Sequence, residues 1–298
     1  MKYDHYELTG IRIAILGGDD RELVLMSELL SMGAEITVVG FDQCEIPEGA
    51  VSSDAPGKAV KDVDAVIMPM PGTDAEGTIR AVFAGERLVF DRDLAKKLVG
   101  KPVFIGTAKP FLSDLCRSSG IPLIEIAELD EVAILNSIPS AEGAIQMAMQ
   151  ETPFTLHGSS CFVLGFGRVG ITLARMLKGI GAKTFVAARR DPDLARAFEA
   201  GFEPVIFEDL LNWLCRADVI FNTVPAPVLG PGELNRVKKE AVIIDLASAP
   251  GGTDFTTAER LGIKAVLAPG LPGKVAPLTA GKILASVYPK LILNQIKG

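Results

Sequence analysis

The stretch Ser-Cys-Phe-Val-Leu-Gly-Phe-Gly-Arg-Val-Gly at residues 160–170 decides the fold of this chain. Its first five residues are mostly apolar and predict a buried strand, and the glycines that follow match the pattern G-x-G-x-x-G. A helical pattern continues over residues 169–180, and an apolar run at residues 184–188 predicts a second strand. Strand, glycine-rich turn, helix and strand in this order are typical of a dinucleotide-binding Rossmann domain.

Each glycine of this turn has a specific expected role. Gly165 permits the tight turn, Gly167 allows the backbone to approach a pyrophosphate, and Gly170 allows close packing of helix and strand. The N–H groups at the start of the helix would then face the phosphates. The alternative is a Rossmann domain that keeps the glycines without binding a cofactor. The predicted cofactor-binding residues of the turn are Gly165, Phe166, Gly167, Arg168, Val169 and Gly170.

The end of the second strand indicates which cofactor is bound. A carboxylate at this position accepts hydrogen bonds from the ribose 2′-hydroxyl of NAD, but here the chain has Arg189 and Arg190. Two guanidinium groups fit a 2′-phosphate, and Arg168 could add a third positive charge. The sequence therefore favours NADP(H), with NAD possible. The alternative is a solvated arginine pair.

Further cofactor contacts are expected where later strands end, because ligands of doubly wound sheets bind beyond the carboxyl ends of strands. Strands are predicted at residues 219–223 and 242–246, and a Pro- and Gly-rich segment at residues 269–281 leads into the last helix. Asp245 either lines the site or accepts hydrogen bonds from local backbone. The predicted contacts are Thr223, Val224, Pro225, Ala226, Leu246, Ala247, Ser248 and Gly270.

The first half of the chain also alternates apolar runs with helical stretches, and 298 residues suit two domains. The predicted fold is therefore α/β, with two Rossmann-like doubly wound domains that have parallel sheets and are joined by interdomain helices. We expect an N-terminal substrate domain over residues 1–135, a linker helix over 136–152, an NADP-binding domain over 153–278, and a C-terminal helix over 279–298 that packs back on the N-terminal domain.

The first domain has no second nucleotide fingerprint. Its first turn, Gly-Gly-Asp-Asp-Arg at residues 17–21, lacks the three-glycine pattern and has two carboxylates where a pyrophosphate would lie. A shared architecture does not by itself make this turn a cofactor site.

Composition argues against several classes of function. The 37 acidic and 30 basic residues give a net charge of −7, which disfavours nucleic-acid binding. The four cysteines form no C-x-x-C pair, and with two histidines no metal site is expected. No apolar run reaches membrane-spanning length and no signal peptide is evident, so we expect a cytoplasmic protein.

The histidines are poorly placed for catalysis. His157 precedes the first strand of the cofactor domain, away from the nicotinamide, and His5 lies near the N-terminus. Alcohol oxidation needs a base, usually a histidine, so this reaction is disfavoured and the catalytic residue is unknown. Ser140 and Thr279 are expected as helix N-caps. The candidates for binding a carboxylated substrate are Arg21, Lys109, Ser140, Glu142, Lys274 and Thr279.

Several segments together resemble one family. They are the turn at residues 17–21, Asn-Ser-Ile-Pro-Ser-Ala-Glu-Gly at 136–143, the glycine turn at 165–170, and Leu-Pro-Gly-Lys-Val-Ala-Pro-Leu-Thr-Ala-Gly at 271–281. Their combination, over essentially the whole length, resembles the A subunits of the dipicolinate synthases of spore-forming Firmicutes. The second domain also resembles the NAD(P)-binding domains of hydroxy-acid dehydrogenases.

This resemblance implies a function that the residues alone do not give. Together with a B subunit, which is flavoprotein-like, the family oxidises a dihydrodipicolinate-type precursor from the lysine pathway to dipicolinate, pyridine-2,6-dicarboxylate. It does so during sporulation, in the mother cell. Oxidation that aromatises a ring needs no strong base, which agrees with the lack of a catalytic histidine.

Two alternatives stay open: another NAD(P)-dependent hydroxy or amino acid dehydrogenase, and a non-catalytic subunit that senses NADP(H). A homo-oligomer is also expected, because the linker helix and the last helix have apolar faces.

Overall fold

The computed structural model, which describes residues 6–70 and 72–297, divides the chain into two units. Unit 1 comprises Met1–Leu135 and Ala276–Gly298, and unit 2 comprises Asn136–Val275. His5 lies outside the described residues. Unit 2 is thus a continuous segment inserted between two parts of unit 1.

Unit 1 alternates strands with helices around one parallel sheet. Its six strands lie in the order β3-β2-β1-β4-β5-β6. Along the chain the elements are β1 (Arg12–Leu16), α1 (Asp20–Ser31), β2 (Glu35–Val39), β3 (Val51–Ser52), α2 (Pro56–Ala59), β4 (Ala65–Ile67), α3 (Arg92–Lys97), β5 (Val103–Ile105), α4 (Pro110–Ser119), β6 (Leu123–Glu125) and α5 (Asp130–Glu151), whose later part belongs to unit 2.

Unit 2 repeats this topology. Its strands lie in the order β12-β11-β10-β7-β8-β9, again all parallel. After α5 the elements are β7 (Ser160–Leu164), α6 (Arg168–Ile180), β8 (Lys183–Ala188), α7 (Asp191–Glu199), β9 (Glu203–Ile206), α8 (Leu210–Trp213), β10 (Val219–Asn222), α9 (Pro231–Leu234), β11 (Val242–Asp245), α10 (Phe255–Leu261), β12 (Lys264–Leu267) and α11 (Leu271–Val275).

The last helix, α12 (Pro277–Lys297), follows unit 2 in the chain but belongs to unit 1. It packs along α1 so closely that a Cβ at Gly281 would lie 2.6 Å from Cβ of Val24. Tyr288 is buried, with its ring edge-on to Phe104 at a centroid distance of 5.8 Å. The apolar side of α12 is therefore covered within unit 1.

Both sheets are apolar on their two faces, as parallel sheets between helices require. In β7, Cys161 and Val163 face one hydrophobic cluster, whereas Phe162 and Leu164 face the other. This alternation fixes the register of the strand that leads into the glycine turn. No helix in the described part of the chain is long and apolar enough to cross a membrane.

The predicted fold class is confirmed: both units are Rossmann-like α/β structures with parallel sheets. Two expected helix starts differ. Because α5 begins at Asp130 and continues through Pro139, Ser140 is not an N-cap, and its hydroxyl donates to the Asn136 carbonyl oxygen at 2.8 Å. Similarly, α12 begins at Pro277, so Thr279 lies in its first turn.

Candidate functional site

The turn between β7 and α6 leaves the amino terminus of α6 open. Gly165 has φ +93°, and a Cβ there would lie 2.6 Å from Thr223 Oγ1. At Gly170, a Cβ would lie 2.1 Å from the Gly165 carbonyl oxygen. In contrast, a Cβ at Gly167, the N-cap of α6, would meet nothing within 4 Å, and no described side chain caps this helix. The start of α6 therefore has room beside its N-cap residue and no described side-chain cap, as an anion site requires.

The other residues of the turn differ in exposure. Phe166 is buried, with its ring edge-on to Phe202 at 6.0 Å, so its side chain packs in the core and only its backbone faces the turn. Arg168 is exposed and Val169 is half-buried. The anion-binding capacity of the turn thus comes mainly from backbone.

Buried polar residues fix the strand ends beside this turn. Asp245, fully buried at the end of β11, accepts hydrogen bonds from Asn222 Nδ2 at 3.0 Å, the Ala247 N–H at 3.0 Å and the Thr253 hydroxyl at 2.7 Å. Asn222, also fully buried, accepts from the Val224 N–H at 3.0 Å. Asp245 therefore serves local structure, which decides between the two roles considered for it.

The predicted contacts at the strand ends lie on the same edge of the sheet as the glycine turn, because β7, β10 and β11 are neighbours. The Thr223 hydroxyl donates to the Leu164 carbonyl oxygen at 2.9 Å, which ties the two loops together. Of the others, Val224, Ala226 and Leu246 are half-buried, Ala247 is buried, and Pro225, Ser248 and Gly270 are exposed.

Arg189, which follows β8, lines a pocket of about 340 Å³. Its guanidinium lies over the Phe207 ring, 5.4 Å from the centroid, and it forms no ion pair with any described residue. The expectation that Arg190 is equally available is corrected. Arg190 donates two hydrogen bonds to Asp193, at 2.7 and 2.8 Å, and these bonds raise its pKa. One free guanidinium, not two, faces the pocket.

The corresponding turn of unit 1 is closed by its own chain. The Gly18 N–H donates to the Arg80 carbonyl oxygen at 3.0 Å, and the Gly18 carbonyl oxygen accepts from the Val82 N–H at 2.9 Å. A Cβ at Gly17 would lie 2.7 Å from the same Arg80 oxygen. The backbone of residues 80–82 thus fills the space beyond β1 that a pyrophosphate would need.

Arg21 is not the substrate-facing cation that the sequence predicts. It is 7% exposed, and its guanidinium donates to both carboxylate oxygens of Asp19 at 2.8 Å. Asp19 and Glu22 form a reciprocal capping box at the start of α1. Burial raises the pKa of Glu22 to about 7, although the positive charge of Arg21 opposes the shift. Arg21 thus belongs to a buried network beneath the unit 1 turn.

The other substrate candidates are exposed or used locally. Lys109 is the N-cap residue of α4 in unit 1, and Lys274 lies in α11 of unit 2; both are exposed. Thr279 is exposed in α12, Glu142 is exposed on α5, and the Ser140 hydroxyl is bonded to its own helix. No hydrogen bond or ion pair joins these described side chains to one another.

Sequence reasoning missed two residues of the site, Asn222 and Phe207. Asn222 had a signal, since a polar residue ends the otherwise apolar run of β10. Phe207 had none, because its approach to Arg189 depends on the packing of the segment after β9.

Comparison with known proteins follows the division into units. The N-terminal domain of the dipicolinate synthase A subunit matches residues 12–127. The NAD-binding domain of D-isomer specific 2-hydroxyacid dehydrogenases matches residues 138–251. The dipicolinate synthase A subunit of Bacillus subtilis (strain 168) is 41% identical over 287 residues, which are 96% of this chain and 97% of that protein.

Solved structures agree with this result. The crystal structure of the dipicolinate synthase A subunit from Bacillus halodurans has a TM-score of 0.93 at 41% identity, covering 96% of this chain and 99% of that one. Its Bacillus subtilis counterpart has a TM-score of 0.91 at 40% identity, covering 99% of both. A transhydrogenase from Sinorhizobium meliloti, with a TM-score of 0.69 at 14% identity and coverage of 96% and 94%, shares the fold alone.

Proposed function

This chain belongs to the family of dipicolinate synthase A subunits, and on that premise we propose that it oxidises a dihydrodipicolinate-type precursor to dipicolinate with NADP⁺ as the oxidant. The chain is an NAD(P)-dependent oxidoreductase that binds NAD(P)(H) in unit 2. The identity of the substrate, the preference between NADP and NAD, and the partner subunit are what we propose beyond this.

The open amino terminus of α6 is the observation that carries the proposal. A helix start without a described side-chain cap, next to the contact-free Gly167, suits the pyrophosphate of a dinucleotide. The fixed loops after β10 and β11 lie on the same edge and suit the nicotinamide half. When bound, the nicotinamide ring supplies a hydride acceptor.

We propose a preference for NADP(H) that rests on Arg189. A guanidinium without an ion-pair partner at the end of β8 suits the ribose 2′-phosphate. Glu208 and Glu233 line the same pocket and reduce its positive potential, and the charge of Arg190 is already balanced by Asp193. The preference over NAD should therefore be modest, about tenfold.

The proposed reaction transfers a hydride from a ring carbon to NADP⁺ and releases a ring proton, which leaves aromatic pyridine-2,6-dicarboxylate and NADPH. His157 does not serve as the base, because its ring packs against Gly181 at the far end of α6 from the glycine turn. Aromatisation provides the driving force, so water suffices to accept the proton. The exposed cations Lys109 and Lys274 are each candidates that we propose for binding a substrate carboxylate, and Thr279 is a candidate hydroxyl donor.

We also propose that the chain works with a B subunit, which is flavoprotein-like, in the cytoplasm of the mother cell during sporulation. A relative named as the A subunit of a synthase supports the existence of a second subunit.

A coupled assay tests the proposal. The lysine-pathway precursor is generated in situ with NADP⁺ or NAD⁺, with and without the B subunit, and dipicolinate absorbance and cofactor reduction are followed together. Stoichiometric dipicolinate and NADPH are expected. Turnover of simple 2-hydroxy acids instead would support another dehydrogenase, and NADPH binding without turnover, even with the B subunit present, would support a sensing role.

A further inference from the structure

Unit 1 has a groove between the exposed sides of α3 and α4, about 620 Å³ in volume. The inner side of α4 is buried in the core through Leu112 and Cys116. Phe111 and Leu115, which lie one helical turn apart, form a second apolar pair that lines the groove. Phe111 is 41% exposed. The α3–α4 groove therefore has an apolar wall that is partly open to solvent.

The ring of Phe111 is held in position by the chain that precedes α3. A Cβ at Gly77, where φ is +85°, would lie 2.6 Å from Cε1 of this ring, so the ring packs directly on backbone. A side chain that is already held in place loses little conformational freedom when a partner binds it. Aromatic residues are also enriched where proteins bind one another. Phe111 is therefore suited to anchor a partner protein.

The charges around the groove differ from those of the rest of the chain. Residues 91–119 contain six basic and three acidic side chains, a net charge of +3, whereas the whole chain has a net charge of −7. Three cations and one carboxylate line the groove: Arg92, Lys96, Arg117 and Asp114. The α3–α4 groove thus combines an apolar wall with a basic rim, which is complementary to an acidic surface.

The cations of this rim are available to a partner. Arg92 forms no ion pair with any described residue. Lys96 and Arg117 each form an ion pair with the aspartate three residues earlier in the same helix, and all four of these side chains are exposed. Exposed pairs of this kind contribute little free energy, so a partner carboxylate can replace the aspartate at small cost.

The charge pattern favours a different protein over a second copy of this chain. Two such grooves placed face to face would bring like charges together, which opposes binding. A groove placed on another, acidic face of the same chain would form a head-to-tail contact, which adds copies without limit unless it closes a ring. Nucleic acid is also disfavoured, because the chain as a whole is acidic. An acidic protein surface with an apolar side chain matches both the wall and the rim.

We infer that the α3–α4 groove binds an acidic surface of the B subunit. An apolar side chain of that subunit enters the groove beside Phe111, and its carboxylates face Arg92 and Arg117. The choice of partner rests on the proposed function, in which a second subunit is indicated by the name of the Bacillus subtilis relative. Since the groove is formed by side chains of unit 1, docking requires neither cofactor nor substrate.

Isothermal titration calorimetry of the full chain with the purified B subunit, without cofactor or substrate, tests the inference. Phe111→Ser should weaken binding at least about tenfold, because it removes the aromatic anchor. Phe198→Ser is the matched control, since Phe198 is 72% exposed on α7 of unit 2, and it should change binding by less than about twofold. A circular dichroism melt verifies that each variant is folded.

Charge reversal tests whether the partner surface is acidic. Arg117→Glu should weaken binding about tenfold at low ionic strength, and the loss should shrink as salt is added. The matched control is Arg196→Glu, because Arg196 is likewise an exposed arginine paired with an acid three residues away, but it lies in unit 2. This control should change binding by less than about threefold.

The outcomes separate the inference from the proposed function. If wild type binds the B subunit and neither Phe111→Ser nor Arg117→Glu weakens binding, the groove assignment is wrong, whereas the proposed partnership stands. If wild type does not bind the B subunit at all, both are wrong. Equal losses in Arg117→Glu and Arg196→Glu would show that overall charge, not the groove, governs binding, and would overturn the inference.

Discussion

The first turns of the two units share their topology and differ in what lies above them. In unit 2 the N-cap glycine at 167 has nothing within 4 Å of its Cβ position, and no described side chain caps α6. In unit 1, Gly18 forms a β-bridge with Ala81, and the Asp19–Glu22 capping box uses the N–H groups of α1. The same strand order thus yields one turn with an uncapped helix start and one closed turn.

The two edges are also stabilised differently. Unit 2 depends on the buried carboxylate of Asp245 and its hydrogen bonds to two loops. Unit 1 depends on backbone pairing with residues 80–82 and on the Asp19–Arg21 ion pair. In unit 2, buried side chains fix the loops at the strand ends. In unit 1, the backbone segment that covers the turn fixes it.

The largest effect is expected from Asp245→Ala, which would remove the hydrogen bonds that fix the loops at the strand ends of unit 2. It removes the acceptor of four hydrogen bonds, including one from the Gly252 N–H at 2.9 Å, and leaves buried donors unpaired. The free energy of unfolding should fall by about 4 kcal/mol, measured by urea denaturation. Asp254→Ala, which removes only the cap of α10, is the control and should cost about 1 kcal/mol. Equal losses in the two variants would show that the network is unimportant.

Next in size, Gly170→Ala and Gly18→Ala compare the two turns directly. The first places a Cβ 2.1 Å from the Gly165 carbonyl oxygen, and the second places one 2.7 Å from the Glu22 side chain, at φ +143°. Each should lower the free energy of unfolding by about 2–3 kcal/mol. Only Gly170→Ala should also weaken NADPH binding, at least about tenfold by calorimetry. A matching loss in Gly18→Ala would show that unit 1 takes part in cofactor binding.

A smaller effect is expected from Arg189→Ala in the nucleotide pocket. Loss of the free guanidinium should weaken NADP(H) binding about tenfold and leave NAD(H) binding nearly unchanged. Arg190→Ala is the matched control, and its effect should be below about threefold because Asp193 already uses that guanidinium. Fluorescence titration of both reduced cofactors measures this, and equal effects in both variants would contradict the assignment.

The smallest effect concerns pH and the closed turn of unit 1. Because burial raises the pKa of Glu22 to about 7, its contribution to stability is full below about pH 4.5 and is lost as the pH rises to about 7. Between pH 5 and pH 8, wild type should lose about 1–2 kcal/mol relative to Glu22→Gln, which keeps the cap but cannot ionise. Burial raises the pKa of Asp19, but the hydrogen bond and charge of Arg21 outweigh it, so the pKa is lowered overall. Asp19 therefore stays ionised between pH 5 and pH 8 and does not contribute to this change. If the stability of wild type and of Glu22→Gln, measured by thermal melting, changes equally between pH 5 and pH 8, the prediction is wrong.

Local pattern was enough to predict the glycine turn, because strand, turn and helix are adjacent in the chain. It failed at α5, where Ser140 was expected as the N-cap, although the helix begins at Asp130 and the Ser140 hydroxyl bonds to the helix backbone. It missed β3 and β9, which are short and lie at sheet edges, where apolar patterning is weak.

The remaining differences depend on contacts between residues distant in sequence. Asn222 meets Asp245 across two strands, and Gly18 meets Ala81 from a separate segment. The sequence shows that polar residues end these strands, but not which partner each one finds. Arg189 and Arg190 illustrate the limit, since adjacent identical residues have different roles only because Asp193 pairs with one of them.

The return of α12 to unit 1 has a consequence for biosynthesis. The ribosome synthesises all of unit 2 before it makes the helix that covers Leu25 and Leu29 in the core of unit 1. Unit 1 therefore keeps an apolar surface exposed until α12 has been made. Premature termination before Pro277 would leave a cofactor-binding unit joined to an incomplete partner, a species that chaperones and proteases would recognise.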